Sequence, residues 1–374
     1  MNYSKLLLLM LLLFPGAMAS AQAKKGVDFV WYNPASEKFL TVHNQLWTGS
    51  AVRSFYDRLP AKAESVVRSP VWKLSRNAAG LKLVFKTDAQ EITIRYVLSN
   101  KNYAMNHFPA TGVSGVDLFA ENSDGSWAWT YGKYQFKDTV TYTYTGLNLD
   151  KEKYKDGRTF HLYLPLYNSV QWMEIGIPSD KAFKFTPASA EKPIVVYGTS
   201  IAQGGCASRA GMGWTNILDR NLHMPVANLG FSGNGRLEKE VVDMIVEKEA
   251  KVFVLDCLPN LGSETANIKS KIAYAVNTIR EKHPHTPIIL VDGSHFTEGR
   301  LNATRTKGIL RTNSLSREAY QELKSKGVQG LYYLAKEDIG LDMNDSVDGT
   351  HPTDIGMLKY AAACEKLIRN ILKL

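Results

Sequence analysis

The chain has 374 residues, of which 22% are charged, 44% hydrophobic and 10% aromatic. These proportions exclude a disordered or fibrous protein, and the length is enough for two domains. The formal net charge of +9 is spread along the chain without a long run of Lys or Arg. The sequence therefore gives no indication of a nucleic-acid partner.

The N-terminus carries a hydrophobic segment at residues 6–14, which Lys5 precedes and the small residues A-Q-A at 21–23 follow. This segment is too short to span a bilayer. A charged start, an apolar middle and an A-x-A exit are typical of a secretory signal peptide. We therefore predict a signal peptide over residues 1–23, a secreted or periplasmic location, and no stable membrane span.

The first half of the chain is dominated by alternation of polar and apolar residues with a period of two. Turn signals separate the alternating segments, and helical periodicity is nearly absent. The clearest segments are residues 81–86, 91–97, 139–144 and 159–164. This pattern predicts an all-β sandwich, jelly-roll-like, over residues 24–186. A Pro-bounded stretch of small residues at 187–193 then reads as a linker.

The second half of the chain has a different pattern, in which continuous apolar runs alternate with amphipathic helical stretches. The runs are residues 193–197, 251–255, 287–291 and, more weakly, 329–334. Apolar strands alternating with helices predict a three-layer α/β domain with a flavodoxin-like parallel sheet, over residues 194–374. Because ligands bind at the carboxyl ends of such strands, the residues that follow each run are the candidates for chemistry.

A serine, a histidine and an aspartate occupy positions suited to nucleophilic catalysis. Ser200 follows the first apolar run in G-T-S-I-A-Q-G-G at 198–205, where a strand-to-helix turn presents its hydroxyl at the sheet edge, although a helix N-cap serine fits there too. His351 lies near the C-terminus in D-G-T-H-P, with Asp348 three residues earlier. An imidazole accepts a hydroxyl proton near neutral pH, and a carboxylate holds its tautomer. Together the three predict a Ser-His-Asp site.

Two glycine- and asparagine-bearing loops offer hydrogen-bond donors for an oxyanion. Gly233 lies in N-L-G-F-S-G-N-G at 228–235 and exposes a backbone N–H, and Asn260 ends D-C-L-P-N at 256–260. Taken singly, these loops are explained by a turn and a helix cap. Acyl transfer needs donors aimed at the developing oxyanion, so these two loops are candidates to supply them.

The order of these blocks resembles the SGNH (GDSL-like) hydrolase superfamily, whose four blocks carry a Ser, a Gly, an Asn, and a His with an Asp three residues earlier. The resemblance covers about residues 193–374 and implies that Ser200 is the nucleophile, His351 the base and Asp348 its carboxylate. It also implies an oxyanion hole formed by Gly233, Asn260 and the backbone N–H of Ser200. Two blocks depart from the family pattern: G-T-S stands where the family has G-D-S, and L-P-N-L stands where it has G-x-N-D.

The first half carries a resemblance of its own. The string G-V-D-L-F at 115–119 looks like the G-x-D-L-Y signature of a β-domain that precedes one branch of the SGNH hydrolases, with Phe119 in place of the tyrosine. A β-domain followed by an SGNH domain is also similar to two-domain carbohydrate esterases that remove acetyl groups from polysaccharides.

These resemblances imply a secreted serine esterase that hydrolyses short-chain esters, acetyl esters above all, on carbohydrate. Its partner is then a small ester or an acetylated polysaccharide. Two alternatives remain open: a lipid or thioester acylhydrolase, and a catalytically inactive carbohydrate-binding protein. Neither a C-x-x-C nor an H-E-x-x-H motif occurs, so we expect no metal and no cofactor.

Five further residues are candidates for roles at the predicted site. Thr199, Arg209 and His295 are candidates for contact with the substrate or with the catalytic residues; for Arg209 the alternative is neutralising a nearby carboxylate, and for His295 an ordinary solvated loop position. Cys206 follows the nucleophile and Cys257 precedes Asn260. In an oxidising compartment these two cysteines either form a disulfide that braces the site or remain buried free thiols.

Overall fold

The computed structural model describes residues 28–147, 153–154, 156–293 and 301–374. The predicted signal peptide lies outside the described residues. The strands and helices of the first half are β1 (Phe29–Tyr32), β2 (Val42–His43), α1 (Ser69–Ser75), β3 (Lys82–Thr87), β4 (Glu91–Leu98), α2 (Ala110–Val113), β5 (Asp117–Glu121), β6 (Trp127–Trp129), β7 (Lys133–Gln135), β8 (Val140–Thr145), β9 (Arg158–Tyr163), β10 (Val170–Pro178) and β11 (Phe183–Phe185).

These strands form two antiparallel sheets that pack face to face. One sheet has the order β1-β10-β4-β8-β7, and the other has the order β11-β3-β9-β5-β6, with β2 added beside β3. In β4 the residues alternate between partly exposed and buried positions, as the period-two pattern requires. The core between the sheets includes Leu83, Ile94, Leu162 and Ile175. The predicted β-sandwich is confirmed.

The second half forms an α/β domain. Its elements are β12 (Ile194–Gly198), α3 (Ser200–Gln203), α4 (Trp214–Leu222), β13 (Val226–Gly230), α5 (Lys239–Ile245), β14 (Val252–Asp256), α6 (Ile268–Lys282), β15 (Ile288–Val291), α7 (Ala303–Ser325), β16 (Leu331–Leu334), α8 (Lys336–Ile339) and α9 (Asp354–Leu372). The five strands are parallel and have the order β13-β12-β14-β15-β16.

The parallel sheet has a separate hydrophobic core on each face. One core contains Val195, Tyr197, Val241, Ile272 and Leu315. The other contains Ile194, Val196, Trp214, Leu218 and Tyr360. Successive residues of β12 therefore enter opposite cores, which is why this strand is apolar throughout rather than alternating. The predicted three-layer α/β fold is confirmed.

Buried polar side chains join the two halves. Arg58 is 2% exposed and donates to the main-chain oxygens of Asn228 (3.0 Å) and Gly230 (2.9 Å) at the end of β13. Lys82 of β3 pairs with Asp219 of α4 at 2.6 Å. Such buried charges are tolerated because each has partners across the junction. As a result, the sandwich is held against the α/β domain, and its loops reach the edge where Ser200 lies.

Among the described residues, none of the helices has the length and apolar character that crossing a membrane requires.

Candidate active site

A strand-to-helix turn presents Ser200 at the carboxyl end of β12. Gly198 ends the strand, and a side chain there would place its Cβ 2.6 Å from the Cβ of Ala202. Thr199 caps α3 by accepting a hydrogen bond from the N–H of Ile201. Ser200 is the first helical residue and is 6% exposed. Its hydroxyl and its backbone N–H therefore lie at the positive end of a short helix.

His351 reaches Ser200 from the loop that precedes α9. The distance from His351 Nε2 to Ser200 Oγ is 2.8 Å, and the distance from His351 Nδ1 to Asp348 Oδ2 is 2.7 Å. In the tautomer that satisfies both partners, Nδ1–H donates to the carboxylate and Nε2 accepts the serine hydroxyl. The structure thus brings the three residues of the predicted triad into one continuous line of hydrogen bonds.

The carboxylate of Asp348 is held ionised by its own loop. Partial burial acts to raise its pKa, but the hydrogen bonds from the backbone N–H and the imidazole of His351 outweigh burial and lower the pKa to about 2. The N–H of Thr350 also donates to this carboxylate, at 3.0 Å. Asp348 is therefore an anion over the whole neutral range and can stabilise an imidazolium at His351.

The loop that carries Asp348 and His351 is anchored on both sides. Arg305 of α7 donates to the carbonyl of Gly349 at 3.0 Å. The N–H of Val347 donates to the carbonyl of His351 at 2.9 Å, which closes the loop on itself. Thr353 then caps α9 through its side chain. These contacts hold the imidazole in the orientation that reaches Ser200.

The predicted oxyanion donors lie on neighbouring loops. Gly233 has a φ of +68°, which favours glycine, and a Cβ at this residue would meet no atom within 4 Å. The side-chain oxygen of Asn260, oriented to satisfy its neighbours, accepts from the N–H groups of Asn234 (3.1 Å) and Gly235 (3.2 Å). Its NH₂ group therefore remains available to donate to an acceptor outside the glycine loop. The asparagine loop and the glycine loop are thereby tied together beside Ser200.

Two amide side chains that the motif analysis did not single out shape the glycine loop. Gln203 Oε1 accepts from the N–H of Ser232 at 2.9 Å, and Asn228 Nδ2 donates to the carbonyl of Ala202 at 2.7 Å. Both residues are buried. Gln203 lies within the G-T-S-I-A-Q-G-G segment of Ser200, and Asn228 begins the N-L-G-F-S-G-N-G segment. Both residues could therefore have been predicted as part of the site from their positions in these motifs.

The G-V-D-L-F motif of the sandwich contacts the segment that follows the nucleophile. Asp117 is 4% exposed, forms an ion pair with Arg209, and accepts from the N–H of Gly211 at 3.0 Å and from Trp129 Nε1 at 2.6 Å. The guanidinium of Arg209 lies 4.2 Å from the centre of the Trp129 ring. Of the two roles open for Arg209, the structure shows the neutralisation of a carboxylate.

The remaining predicted site residues have different outcomes. Thr199 is fully buried, and its hydroxyl serves the helix cap described above, so it does not face a substrate. His295 lies outside the described residues.

Of the two states left open for Cys206 and Cys257, the structure shows free thiols rather than a disulfide. Both are buried free thiols, as is Cys364. Cys206 belongs to the core on one face of the parallel sheet and Cys257 to the core on the other face. The two sulfur atoms are therefore separated by the sheet and cannot reach bonding distance.

His107 of the sandwich also lies at this site, and the sequence analysis missed it. Its ring centre is 5.8 Å from that of His351, and the side chain is exposed. It belongs to the loop between β4 and α2, far from every catalytic block in the sequence. No local pattern could have placed it here, because its position depends on how the sandwich docks.

Comparison with known proteins identifies the families that the two halves of the chain match. The model of the GDSL-like lipase/acylhydrolase family matches residues 191–369, and the model of the GxDLY N-terminus of SGNH-hydrolase-type esterases matches residues 29–183. A solved structure from Bacteroides ovatus ATCC 8483, described as a GDSL-like lipase, is 30% identical with a TM-score of 0.82, and the match covers 92% of this chain and 98% of that chain. The chain belongs to the GDSL-like lipase/acylhydrolase family.

More distant solved structures share the fold of this GDSL-like hydrolase. A salicylyl-acyltransferase from a tetracycline biosynthetic pathway is 19% identical with a TM-score of 0.71, and a family two carbohydrate esterase from Cellvibrio japonicus is 13% identical with a TM-score of 0.55. Each match covers 92% of this chain and 98% of the other. The comparison with curated proteins found no match. The resemblance to SGNH ester hydrolases drawn from the sequence is confirmed.

Proposed function

We propose that this chain is a secreted serine esterase that removes short acyl groups, acetyl above all, from carbohydrate by an acyl-enzyme mechanism. The observation that carries the mechanism is the unbroken line from Ser200 Oγ to His351 Nε2 (2.8 Å) and from His351 Nδ1 to Asp348 Oδ2 (2.7 Å). This line is what the activation of a serine hydroxyl requires.

In the first half of the reaction, His351 takes the proton of Ser200 while Oγ attacks the ester carbonyl. The imidazolium is stabilised by the carboxylate of Asp348, and it then gives its proton to the leaving alcohol. In the second half, His351 takes a proton from water, the hydroxide attacks the acyl-enzyme, and the proton returns to Ser200. The acid is released and the triad is restored.

Negative charge on the carbonyl oxygen is met by three donors: the N–H of Ser200, the N–H of Gly233 and the side-chain NH₂ of Asn260. The Asn260 amide is suited to this role because its oxygen is already occupied by the N–H groups of Asn234 and Gly235. A donor that is fixed before the reaction stabilises the transition state without reorganisation, and one such donor contributes about a hundredfold or more in rate.

A carbohydrate substrate is supported by the two-domain arrangement and by the fold shared with a family two carbohydrate esterase. The secreted location rests on the signal-peptide pattern of residues 1–23.

The mechanism is tested by replacing Ser200. We expect S200A to abolish hydrolysis of p-nitrophenyl acetate and labelling by a fluorophosphonate probe while its melting temperature stays close to that of the native protein. Ser325, an exposed serine at the end of α7, provides the control, and S325A should retain both reactions. Full activity in S200A would end the assignment of the nucleophile.

The substrate class is tested by measuring acetate release from acetylated xylan, pectin and mannan alongside a long-chain lipid ester and an acyl thioester. We expect release from at least one polysaccharide at a higher kcat/KM than from the lipid ester or the thioester. A higher kcat/KM for the lipid ester or the thioester would instead indicate a lipid or thioester acylhydrolase. Binding of polysaccharide without any turnover would favour the inactive carbohydrate-binding protein.

A further inference from the structure

A thiol and a second imidazole lie beside the catalytic histidine. His107, Cys206 and His351 each offer one ligand atom, and these atoms lie within 4.8 Å of one another. His107 comes from the sandwich, Cys206 follows the nucleophile in the α/β domain, and His351 precedes α9. His107 is exposed, whereas Cys206 is buried. An approaching ion would therefore meet His107 first.

Two imidazole nitrogens and one thiolate form a donor set that suits Zn²⁺. Zinc binds nitrogen at about 2.0–2.1 Å and sulfur at about 2.3 Å, so tetrahedral ligands lie about 3.5 Å apart. The three ligand atoms, at separations of up to 4.8 Å, need to approach by only about 1 Å. The exposed side chain of His107 is free to make that movement, since it lies at the surface.

His351 already has the orientation of a zinc-bound histidine. Asp348 accepts from Nδ1 at 2.7 Å, which leaves the lone pair of Nε2 available. Carboxylate–histidine–zinc arrangements fix the ring in this way. In the metal-free site the same lone pair accepts the hydroxyl of Ser200 at 2.8 Å. One lone pair cannot bind a metal and accept a proton, so zinc binding and catalysis exclude each other.

We infer that His107, Cys206 and His351 form a Zn²⁺ site whose occupation reversibly inhibits the esterase. This inference deepens the proposed function, because the inhibited group is the general base assigned there. When Zn²⁺ binds, the Cys206 thiol releases one proton, the sulfur and the two imidazole nitrogens donate to the metal, and water takes the fourth position. Ser200 then has no acceptor for its proton.

The site differs from a structural zinc site in its affinity. Its three ligand atoms lie up to 4.8 Å apart and have to move together before they can bind one ion. Zinc is therefore expected to occupy the site only when its free concentration is raised, and the apo site is the active form.

The inhibition is measured by titrating Zn²⁺ into the full-length protein during p-nitrophenyl acetate hydrolysis and then adding EDTA. We expect loss of activity in the native protein and full recovery with EDTA. H107A and C206A each lack one ligand, so each should need at least about tenfold more Zn²⁺ for the same inhibition. His285, an exposed histidine outside the cluster, provides the control, and H285A should respond like the native protein.

Metal binding is measured separately from activity by calorimetric titration of Zn²⁺ into S200A, which retains all three ligands. One ion should bind per chain, and the additional H107A replacement should weaken it at least about tenfold. Co²⁺ in the same protein should give a thiolate-to-cobalt charge-transfer absorption that is absent from S200A/C206A. Failure of S200A to bind Zn²⁺, or inhibition that H107A and C206A leave unchanged, would overturn the inference. An inactive native protein that still binds one Zn²⁺ at these ligands would overturn the esterase proposal and leave the metal site standing.

Discussion

The ion pair between Asp117 and Arg209 links the sandwich to the segment that follows the nucleophile. We therefore expect D117A to lower the free energy of unfolding. The buried N–H of Gly211 loses its acceptor, which costs about 1–3 kcal/mol. Removing one partner of a fully buried ion pair costs about 3–5 kcal/mol, but the Arg209 side chain is 25% exposed and keeps some contact with water. Together these effects lead us to expect a fall of about 3 kcal/mol in the free energy of unfolding.

The assay is urea denaturation of the native protein, D117A, R209A and the double variant. Because the two side chains are in contact, the double variant should lose less stability than the sum of the single variants, with a coupling of about 1–3 kcal/mol. D138A is the matched control, since Asp138 pairs with Lys101 at an exposed site of the same sandwich, and we expect no measurable loss there. A D117A variant as stable as the native protein, or strictly additive losses, would refute a structural link at this motif.

Two further predictions concern carboxyl groups. Because Asp348 accepts a hydrogen bond from Nδ1–H of His351, D348N should lower kcat for p-nitrophenyl acetate by about 10³–10⁴-fold with little change in fold. D338N, an exposed control on α8, should leave kcat unchanged. An equal kcat in the two variants would show that Asp348 has no part in the mechanism. Burial raises the pKa of Asp256, at the end of β14, from 3.8 to about 7, so the folded protein keeps a proton that the unfolded chain loses above pH about 3.8. Ionisation therefore favours the unfolded chain as pH rises from about 3.8 to about 7, and the free energy of unfolding should fall over this range by as much as about 4 kcal/mol. D256N should remove that decline when urea denaturation is measured across the same pH range. A pH dependence of the unfolding free energy that is unchanged in D256N would contradict the raised pKa.

Much of the fold could be predicted from local patterns. The alternating segments became strands of the sandwich because one face of each sheet is buried, and the continuous apolar runs became the parallel strands because both faces are buried. The positions of Ser200 and Asn260 after their strands followed from the rule that the carboxyl ends of parallel strands share one edge. These features depend on neighbours in the chain or on the regular geometry of a sheet.

Other features depended on which surfaces pack together. The sequence places Cys206 and Cys257 after neighbouring strands, but only the structure shows that their side chains enter cores on opposite faces of the sheet. Arg58 has no partner in any motif, and its burial is explained only by the main-chain oxygens at the end of β13.

What the sequence by itself determined is the order of the chemical groups: a serine after the first apolar run, an amide after the run at residues 251–255, and a histidine paired with an aspartate in the same loop. Short-range rules suffice there, because the turn, the cap and the i,i+3 carboxylate act within a few residues. What only the tertiary structure decided is which residues from elsewhere in the chain lie beside these groups. The docking of the sandwich brings the imidazole of His107 to the rim of the catalytic site, and the contact arises from two surfaces meeting rather than from any periodicity along the chain.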